Sequence, residues 1–317
     1  MRSYKNPLKL IEILSDGRFH SGEELADVFG ITRAGINKYI KQLREWGIAL
    51  TSVQGKGYCL ASPLDLLNKA KIDQYYQSNS HCEILPIIDS TNQYLLDRID
   101  QLTSGNCCVA EFQSKARGRR GRKWFSPFGS NIYFSMYWRL DQGIAAAMGL
   151  SLVVGIVIAD TLRALSGQDI KVKWPNDLYL NDQKLAGILV ELAGKTGDCA
   201  HVVIGVGVNL TMTNPDINIV NQKWANLGNV DRNLLVAQIA KDLKSKLTEF
   251  EKYGLTPFIN DWNRLDNFTN RPIKLLIGEN IIRGVAKGIN EQGALMLEKN
   301  GKIDAYIGGE ISLRSDE

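Results

Sequence analysis

Apolar residues recur at helical spacing from Pro7 to Leu14 and stop at the turn Ser15-Asp16-Gly17, which predicts a first helix. Ser21-Gly22-Glu23-Glu24 follows as a capping box, in which Ser21 and Glu24 can satisfy each other's free backbone amides. The helix it opens runs through Leu25, Ala26 and Phe29 and ends at Gly30. Thr32 then caps a third helix, Arg33 to Trp46, with Ile36, Ile40 and Leu43 on one stripe and Asn37, Lys38 and Lys41 off it. Ile48 to Val53 and Tyr58 to Ala61 are short strand-like runs around Gly55-Lys56-Gly57, the pattern of a hairpin with a lysine at its tip. Pro63 to about Ser80 is polar and partly helical, with Leu66, Leu67, Ala70 and Ile72 as its apolar contacts.

A second region begins near Cys82. Ile84 to Ile88 predicts a strand, closed by Asp89-Ser90-Thr91-Asn92, which can cap a helix from Gln93 to Ile99. Cys107 to Gln113 and Asn131 to Leu140 are further strands, the latter with Tyr133, Ser135 and Tyr137 on one face and Ile132, Phe134, Met136 and Trp138 on the other. The uncharged run from Gly143 to Ala159 is slightly short of a comfortable membrane span and is predicted to lie in a buried core helix, about Ile144 to Leu165. Strands follow at Ile170 to Trp174, Leu185 to Leu192 and His201 to Leu210, with a hairpin tip at Asn181-Asp182-Gln183. An amphipathic helix spans Asp231 to Tyr253 and a shorter one Thr256 to Leu265. From Arg271 the period becomes two, and short strands at Ile273 to Ile277, Ile281 to Ala286, Leu295 to Glu298 and Ala305 to Ile307 predict a small all-β barrel suited to covering or partner contact.

Composition adds limits. With 317 residues, 44% hydrophobic and 23% charged, the chain has the makeup of an ordinary soluble protein of two or three domains. A net charge of +4 permits nucleic-acid binding without demanding it. Five cysteines, an odd number with Cys107 and Cys108 adjacent, do not make a disulfide framework, and the N-terminus carries no secretory segment, so the expected compartment is the reducing cytoplasm. Three histidines without CxxC or HExxH spacing argue against zinc.

Charge placement says more than its sum. Arg117-Gly118-Arg119-Arg120-Gly121-Arg122-Lys123-Trp124 sets five cations and two glycines in a loop between strands. Glycine admits an anion close to the backbone, and guanidinium forks match carboxylate and phosphate oxygens, so an anionic ligand that orders the loop is expected; a solvated basic face is the alternative. The first three helices and hairpin have the outline of a winged helix-turn-helix. Thr32, Arg33, Asn37 and Lys38 are then candidates for base contacts, and Lys41, Arg44 and Lys56 for phosphates, unless the segment is a bundle used for protein contacts. Ser90, Thr91 and Asn92 fit a polar ligand or an ordinary helix cap. Gly205 and Gly207 suggest close approach of a ligand to a strand.

Taken in order, the winged helix, Asp89-Ser90-Thr91-Asn92, the arginine loop, Lys173-Trp174-Pro175-Asn176-Asp177, Lys184-Leu185-Ala186-Gly187-Ile188-Leu189 and a terminal β module resemble the bifunctional biotin protein ligase and biotin operon repressor family over essentially the whole chain. The resemblance implies an α+β multi-domain protein. Its parts are a winged-helix DNA-binding domain over 1–62, a linker over 63–82, a catalytic domain over 83–270 with a mixed β-sheet and packed helices of the biotin/lipoate ligase, class II synthetase-like kind, and an SH3-like β domain over 271–317. It implies that biotin and ATP give biotinyl-5′-adenylate and pyrophosphate, and that the biotinyl group passes to a lysine of the biotin carboxyl carrier protein of acetyl-CoA carboxylase. The adenylate is also the corepressor of a homodimer that binds operator DNA; no membrane is involved.

By the same resemblance Ser90, Thr91, Asn92 and Gln113 hold biotin, and Arg117, Gly118 and Arg119 close over its carboxylate and the bridging phosphate, with Gly187 nearby. Lys184 and Arg119 are the catalytic pair. Arg122, Asn176, Asp177, Asn209 and Trp224 serve ATP, with Trp224 stacking on adenine and Asp177 meeting Mg²⁺. One departure is Ala116, where the family loop usually begins with glycine; its methyl is expected to weaken adenylate retention. A catalytically silent biotin-sensing transcription factor and a lipoate-type ligase are the alternatives.

Overall fold

The protein is described by a computed structural model that covers residues 4–76, 81–194, 199–213, 220, 222–308 and 311–316. The first unit comprises α1 (Lys5–Leu14), α2 (Gly22–Phe29), α3 (Arg33–Glu45) and the antiparallel hairpin β1 (Leu50–Val53) and β2 (Gly57–Leu60). The capping box forms as expected: Ser21 Oγ accepts from the Glu24 amide at 3.0 Å, and Glu24 Oε2 accepts from the Ser21 amide at 3.4 Å. Thr32 Oγ1 accepts from the Gly35 amide at 3.2 Å, and such caps contribute about 1 kcal/mol each. Leu10, Ile11, Leu14, Leu25, Ile36 and Leu43 are fully buried in one core, each worth about 1.5–3 kcal/mol.

This core does not end with the winged helix. Trp46 stacks on Phe128 with ring centroids 5.8 Å apart, its carbonyl accepts the Phe128 amide at 2.8 Å, and Gly47 leaves room for Pro127, which a Cβ there would meet at 2.8 Å. The segment just after the arginine loop is therefore part of the first unit's core.

The connecting segment is more than a tether. Its helix α4 (Lys69–Tyr76) places Ile72 and Tyr76 in the main core, and a buried ion pair holds the chain before it. Arg232 donates to Glu111 Oε2 at 2.7 Å, to the Asn131 carbonyl at 2.9 Å and to the Asp65 carbonyl at 2.5 Å, while Glu111 Oε1 accepts the Leu67 amide at 2.6 Å. Both terminal nitrogens of Arg232 and both oxygens of Glu111 have partners, which is what makes a buried pair tolerable.

The central unit comprises β3 (Cys82–Ile88), α5 (Thr91–Leu96), β4 (Cys107–Gln113), β5 (Asn131–Leu140), α6 (Leu150–Ser166), β6 (Lys171–Lys173), β7 (Asp177–Leu180), β8 (Gln183–Ala193), β9 (Ala200–Asn209), α7 (Arg232–Tyr253) and α8 (Ile259–Leu265). Among the described residues the strands form one seven-stranded mixed sheet in the order β3-β4-β5-β9-β8-β7-β6, with β3 and β4 parallel and the other neighbours antiparallel. Helices α6, α7 and α8 cover one face, where Ile132, Phe134, Met136 and Trp138 join them, and α5 and the arginine loop lie on the other with Tyr133 and Ser135.

Two expectations needed correction. The apolar run is not one helix from Ile144: a 3-10 turn over Ile144–Ala147 precedes Gly149, whose φ of 82° breaks the path, and α6 starts at Leu150. By length and composition Ile144–Ser166 passes for a membrane-crossing helix, yet Val153, Ile158 and Leu162 are fully buried in the main core. Strand β7 was not foreseen either; it forms because Asn181 and Asp182, at φ 51° and 57°, make the tight turn that pairs it with β8.

The last unit is an all-antiparallel sheet of β10 (Pro272–Ile277), β11 (Asn280–Ile289), β12 (Leu295–Lys299), β13 (Lys302–Tyr306) and β14 (Ile311–Ser315), ordered β13-β12-β11-β10-β14 among the described residues. Strand β14 had no counterpart in the sequence reading. Trp174 is buried between this sheet and the centre and donates to the Gly293 carbonyl at 3.1 Å.

One ionisable cluster makes the winged helix sensitive to pH. His20 bridges Asp16 and Glu24, each at 3.1 Å. Burial pushes the His20 pKa down, but the hydrogen bonds and charges of the two carboxylates outweigh it and raise it above 6.5, while the Arg18 amide and then His20 lower Asp16 to about 2. The His20 contribution is therefore complete below pH 6.5 and lost as pH rises through its higher folded value, and after solvent screening amounts to less than about 1 kcal/mol. Thermal unfolding followed from about pH 6 to 9 is expected to show this loss in the parent chain and not in His20→Gln.

Candidate active site

The cavity is built around the junction of β3 and α5. Ser90 caps α5, accepting the Gln93 amide at 3.4 Å, so the cap and the polar-ligand readings of this segment coexist. The Thr91 amide and Oγ1 both donate to Gln113 Oε1, at 2.9 and 3.1 Å. Ser135 Oγ lies 2.7 Å from Thr91 Oγ1 and 2.6 Å from Asn92 Oδ1, and Asn92 Nδ2 donates to Glu191 Oε2 at 2.8 Å. Ser90, Thr91, Asn92 and Ser135 are all at most 5% exposed, so this is a preorganised set of neutral donors and acceptors. Ser135 and Glu191 were missed in the sequence, where each reads as an ordinary strand residue.

The arginine loop closes on itself and on this network. Ala116 O accepts the Trp124 amide at 3.0 Å and Arg122 O accepts the Gly118 amide at 2.7 Å. Arg117 donates to Gln93 Oε1 at 3.0 Å and to Glu191 Oε1 at 2.9 Å, while Arg119 donates to Asn176 Oδ1 at 2.8 Å. Burial, then the charge of Arg120, lowers the Arg119 pKa from its usual value. Trp124 lies against the sheet only because Gly187 and Gly207 carry no side chain: a Cβ would stand 2.9 and 2.7 Å from its ring. At Gly205 the corresponding distance is 2.4 Å, to Asn92 Oδ1. The glycines of β9 thus admit the protein's own side chains, and Gly205 and Gly207 also line the cavity.

Across the cavity, one carboxylate meets two ammonium groups. Asp177 Oδ1 is 2.7 Å from Lys184 Nζ, and Oδ2 is 4.0 Å from Lys173 Nζ, which donates to the Tyr179 hydroxyl at 2.7 Å. Burial pushes the Asp177 pKa up, but Lys184 and Lys173 together hold it below the usual carboxylate value. Burial moves Lys173 down to about 8. Asn176 is fixed by donating to the Ile188 carbonyl at 2.8 Å.

These parts enclose about 450 Å³, within the range of sites for drug-sized ligands. Ser90, Thr91, Asn92, Gln113, Arg117, Gly118, Arg119, Arg122, Asn176, Asp177, Lys184, Gly187, Asn209 and Trp224, all singled out in the sequence, line it. Trp224 is strapped beside Lys184, because the Lys184 amide donates to Lys223 O at 3.2 Å and its carbonyl accepts the Ala225 amide at 2.9 Å; Asn209 Nδ2 reinforces the strap by donating to Ala225 O at 3.3 Å. The β14 residues Ile311, Leu313 and Arg314 complete the wall, so the terminal sheet does cover the site.

Residues 84–209 match the Biotin/lipoate A/B protein ligase family, residues 7–59 an HTH domain and residues 268–314 the Biotin protein ligase C terminal domain. The chain is 55% identical to the bifunctional ligase/repressor BirA of Escherichia coli, over 100% of both chains. The chain belongs to the bifunctional biotin protein ligase and repressor family. It is 32% identical to a biotin–[acetyl-CoA-carboxylase] ligase of Paracoccus denitrificans over 66% of this chain and 90% of that one. A biotin protein ligase from Aquifex aeolicus, solved in complex with biotin and ATP, superposes with a TM-score of 0.67 at 27% identity, covering 75% of this chain and all of that one.

Asp177, expected to meet the Mg²⁺ that ATP carries, turns its oxygens toward Lys184 and Lys173, at 2.7 and 4.0 Å. Ala116 is buried, and its φ lies outside the left-handed region, so its backbone here is one that alanine adopts freely.

On the winged helix, Thr32, Arg33, Asn37, Lys38, Lys41, Arg44 and Lys56 are all exposed. Asn37 Oδ1 accepts from the Tyr58 hydroxyl of the wing at 2.7 Å, which ties the third helix to the hairpin.

Gly207→Ala is expected to force Trp124 off β9 and lower stability by about 1–3 kcal/mol, with red-shifted tryptophan emission. Combining it with Trp124→Ala, which makes the room, is expected to remove most of the further loss in thermal denaturation.

Proposed function

We propose that the chain joins biotin to ATP in this cavity, giving biotinyl-5′-adenylate and pyrophosphate, and then passes the biotinyl group to a lysine of a biotin carboxyl carrier protein, releasing AMP. The observation that carries this reading is the division of one cavity into a neutral polar end, at Thr91, Asn92 and Gln113 with Ser135 buried behind them, and a cationic end, at Arg119, Arg122, Lys173, Lys184 and Arg314. A ureido group exchanges hydrogen bonds with the first; a carboxylate and a triphosphate need the second.

In the first step a biotin carboxylate oxygen attacks the α-phosphorus, and the bond to the bridging oxygen breaks as pyrophosphate leaves. Arg119 and Lys184 neutralise the oxygens that approach each other, and Arg122 and Arg314 meet the departing phosphates. In the second step the carrier lysine, as a free amine, attacks the anhydride carbonyl, loses a proton, and AMP departs. Mg²⁺ enters as the counter-ion of ATP, and Trp224 offers its ring to adenine. The adenylate serves as corepressor: it orders the arginine loop, favours a homodimer through the central sheets and sets two winged helices on operator DNA. The working units are residues 1–62, 63–82, 83–270 and 271–317. The setting is the cytoplasm, where ATP is abundant and the five free cysteines stay reduced.

Exchange of pyrophosphate into ATP, with biotin and then lipoate as the only added acid, tests the enzyme. Biotin-dependent exchange is expected, falling about 100-fold in Arg119→Gln. Exchange with lipoate alone would make the chain a lipoate-type ligase, and none with either would leave a biotin sensor. For the repressor half, Lys41→Ala is expected to weaken operator binding evenly across sequences and reduce the salt slope by about 1, in fluorescence anisotropy titrations with adenylate present.

A further inference from the structure

Lys173 is an unusual group to find in this wall. It is 3% exposed, closes the β6–β7 hairpin opposite Asp177, and spends its short contact on an uncharged hydroxyl, Tyr179 Oη at 2.7 Å, while the carboxylate lies 4.0 Å away. The near contact of Asp177 belongs to Lys184, at 2.7 Å. Lys184 therefore starts from a bound position. If it leaves Asp177 to neutralise an anion in the cavity, the carboxylate left alone in a buried site opposes that departure.

We propose that Lys173 is a positioning residue for Lys184: as Lys184 moves to the substrate's anionic oxygen, Lys173 leaves the Tyr179 hydroxyl and takes over Asp177. The carboxylate keeps one close cation throughout, so Lys184 is released without a bare buried charge. Geometry allows the exchange, since the two ammonium groups address different oxygens of one carboxylate and Lys173 needs to move little more than an ångström to make contact. Tyr179, buried at 8% exposure, holds the waiting ammonium in place. No covalent bond changes; the relay moves charges only. It rests on the proposed ligase reading for the identity of the anion.

A double-mutant cycle in the full chain tests it, read by biotin-dependent exchange of pyrophosphate into ATP. Lys173→Met is expected to lower the saturated exchange rate about 30-fold while the KM for biotin changes less than about 3-fold. In an Asp177→Asn chain there is no charge to relay, and the same substitution is expected to cost less than about 3-fold. Lys173→Arg, which keeps a cation, is expected to recover most of the rate. An equal loss in both backgrounds overturns the relay, because it means Lys173 acts on the substrate directly. Tyr179→Phe controls for damage to the hairpin: it removes the waiting partner but not the charge, and a loss as large as that of Lys173→Met would overturn the relay in favour of a structural role.

Calorimetric binding of inorganic pyrophosphate to the same chains needs no turnover. Binding about 10-fold weaker in Lys173→Met, and restored when Asp177→Asn is added, supports the relay. If the parent chain binds pyrophosphate with that pattern but catalyses no exchange, the ligase reading fails and the relay stands. If it catalyses exchange while both cycles are flat, the relay alone fails.

Discussion

An excess of positive charge in a confined space is the constraint on which the rest of the structure depends. Arg119, Arg122, Lys173, Lys184 and Arg314 converge on a cavity in which Asp177 is the one carboxylate among the described lining residues. Like charges at this density repel one another, and partial burial removes the water that would screen them. The chain meets this with substitutes for a ligand. Asp177 holds Lys184, Asn176 takes Arg119, and Glu191 with Gln93 takes Arg117. Each of these cations thereby has an internal acceptor that offsets part of this repulsion.

The neutral end of the cavity works by the opposite means. Thr91, Asn92, Gln113 and Ser135 already satisfy one another, so their orientation is set before any ligand arrives. Glu191 belongs to both ends, accepting from Asn92 with one oxygen and from Arg117 with the other. A change at the loop is therefore felt by the polar network through a single side chain.

The flanking units are joined to this centre by aromatic contacts and buried polar pairs. Trp46 on Phe128 makes the residues after the arginine loop part of the winged-helix core. Trp174, hydrogen-bonded to Gly293, seats the terminal sheet so that Arg314 reaches the cavity. Arg232 and Glu111 hold the segment between the first two units. The winged helix, the catalytic sheet and the terminal sheet consequently share walls, and a ligand that moves the loop acts on surfaces common to more than one of them.

Local rules were enough for much of this. The capping box at Ser21 and Glu24, the cap at Thr32, the alternation of Tyr133 to Trp138 and the turn at Asn181 and Asp182 each depend on a few adjacent residues, and all were legible in the chain. So was much of the set of residues that lines the cavity, because it lies in short motifs whose order resembles one family. What adjacency does not contain is which distant groups meet. Glycines 205 and 207 announced a close approach, but only the folded sheet shows that Asn92 and Trp124 make it. That Asp177 faces Lys184 and Lys173 follows from packing alone. Strand β14 and Arg314 passed unnoticed because a five-residue edge strand has little pattern of its own and pairs with β10, far back in the chain. The sequence by itself determined the helices, turns and chemical inventory, since those follow from neighbours; the partners of each charge were decided by tertiary structure, since burial and distance exist only once the chain is folded.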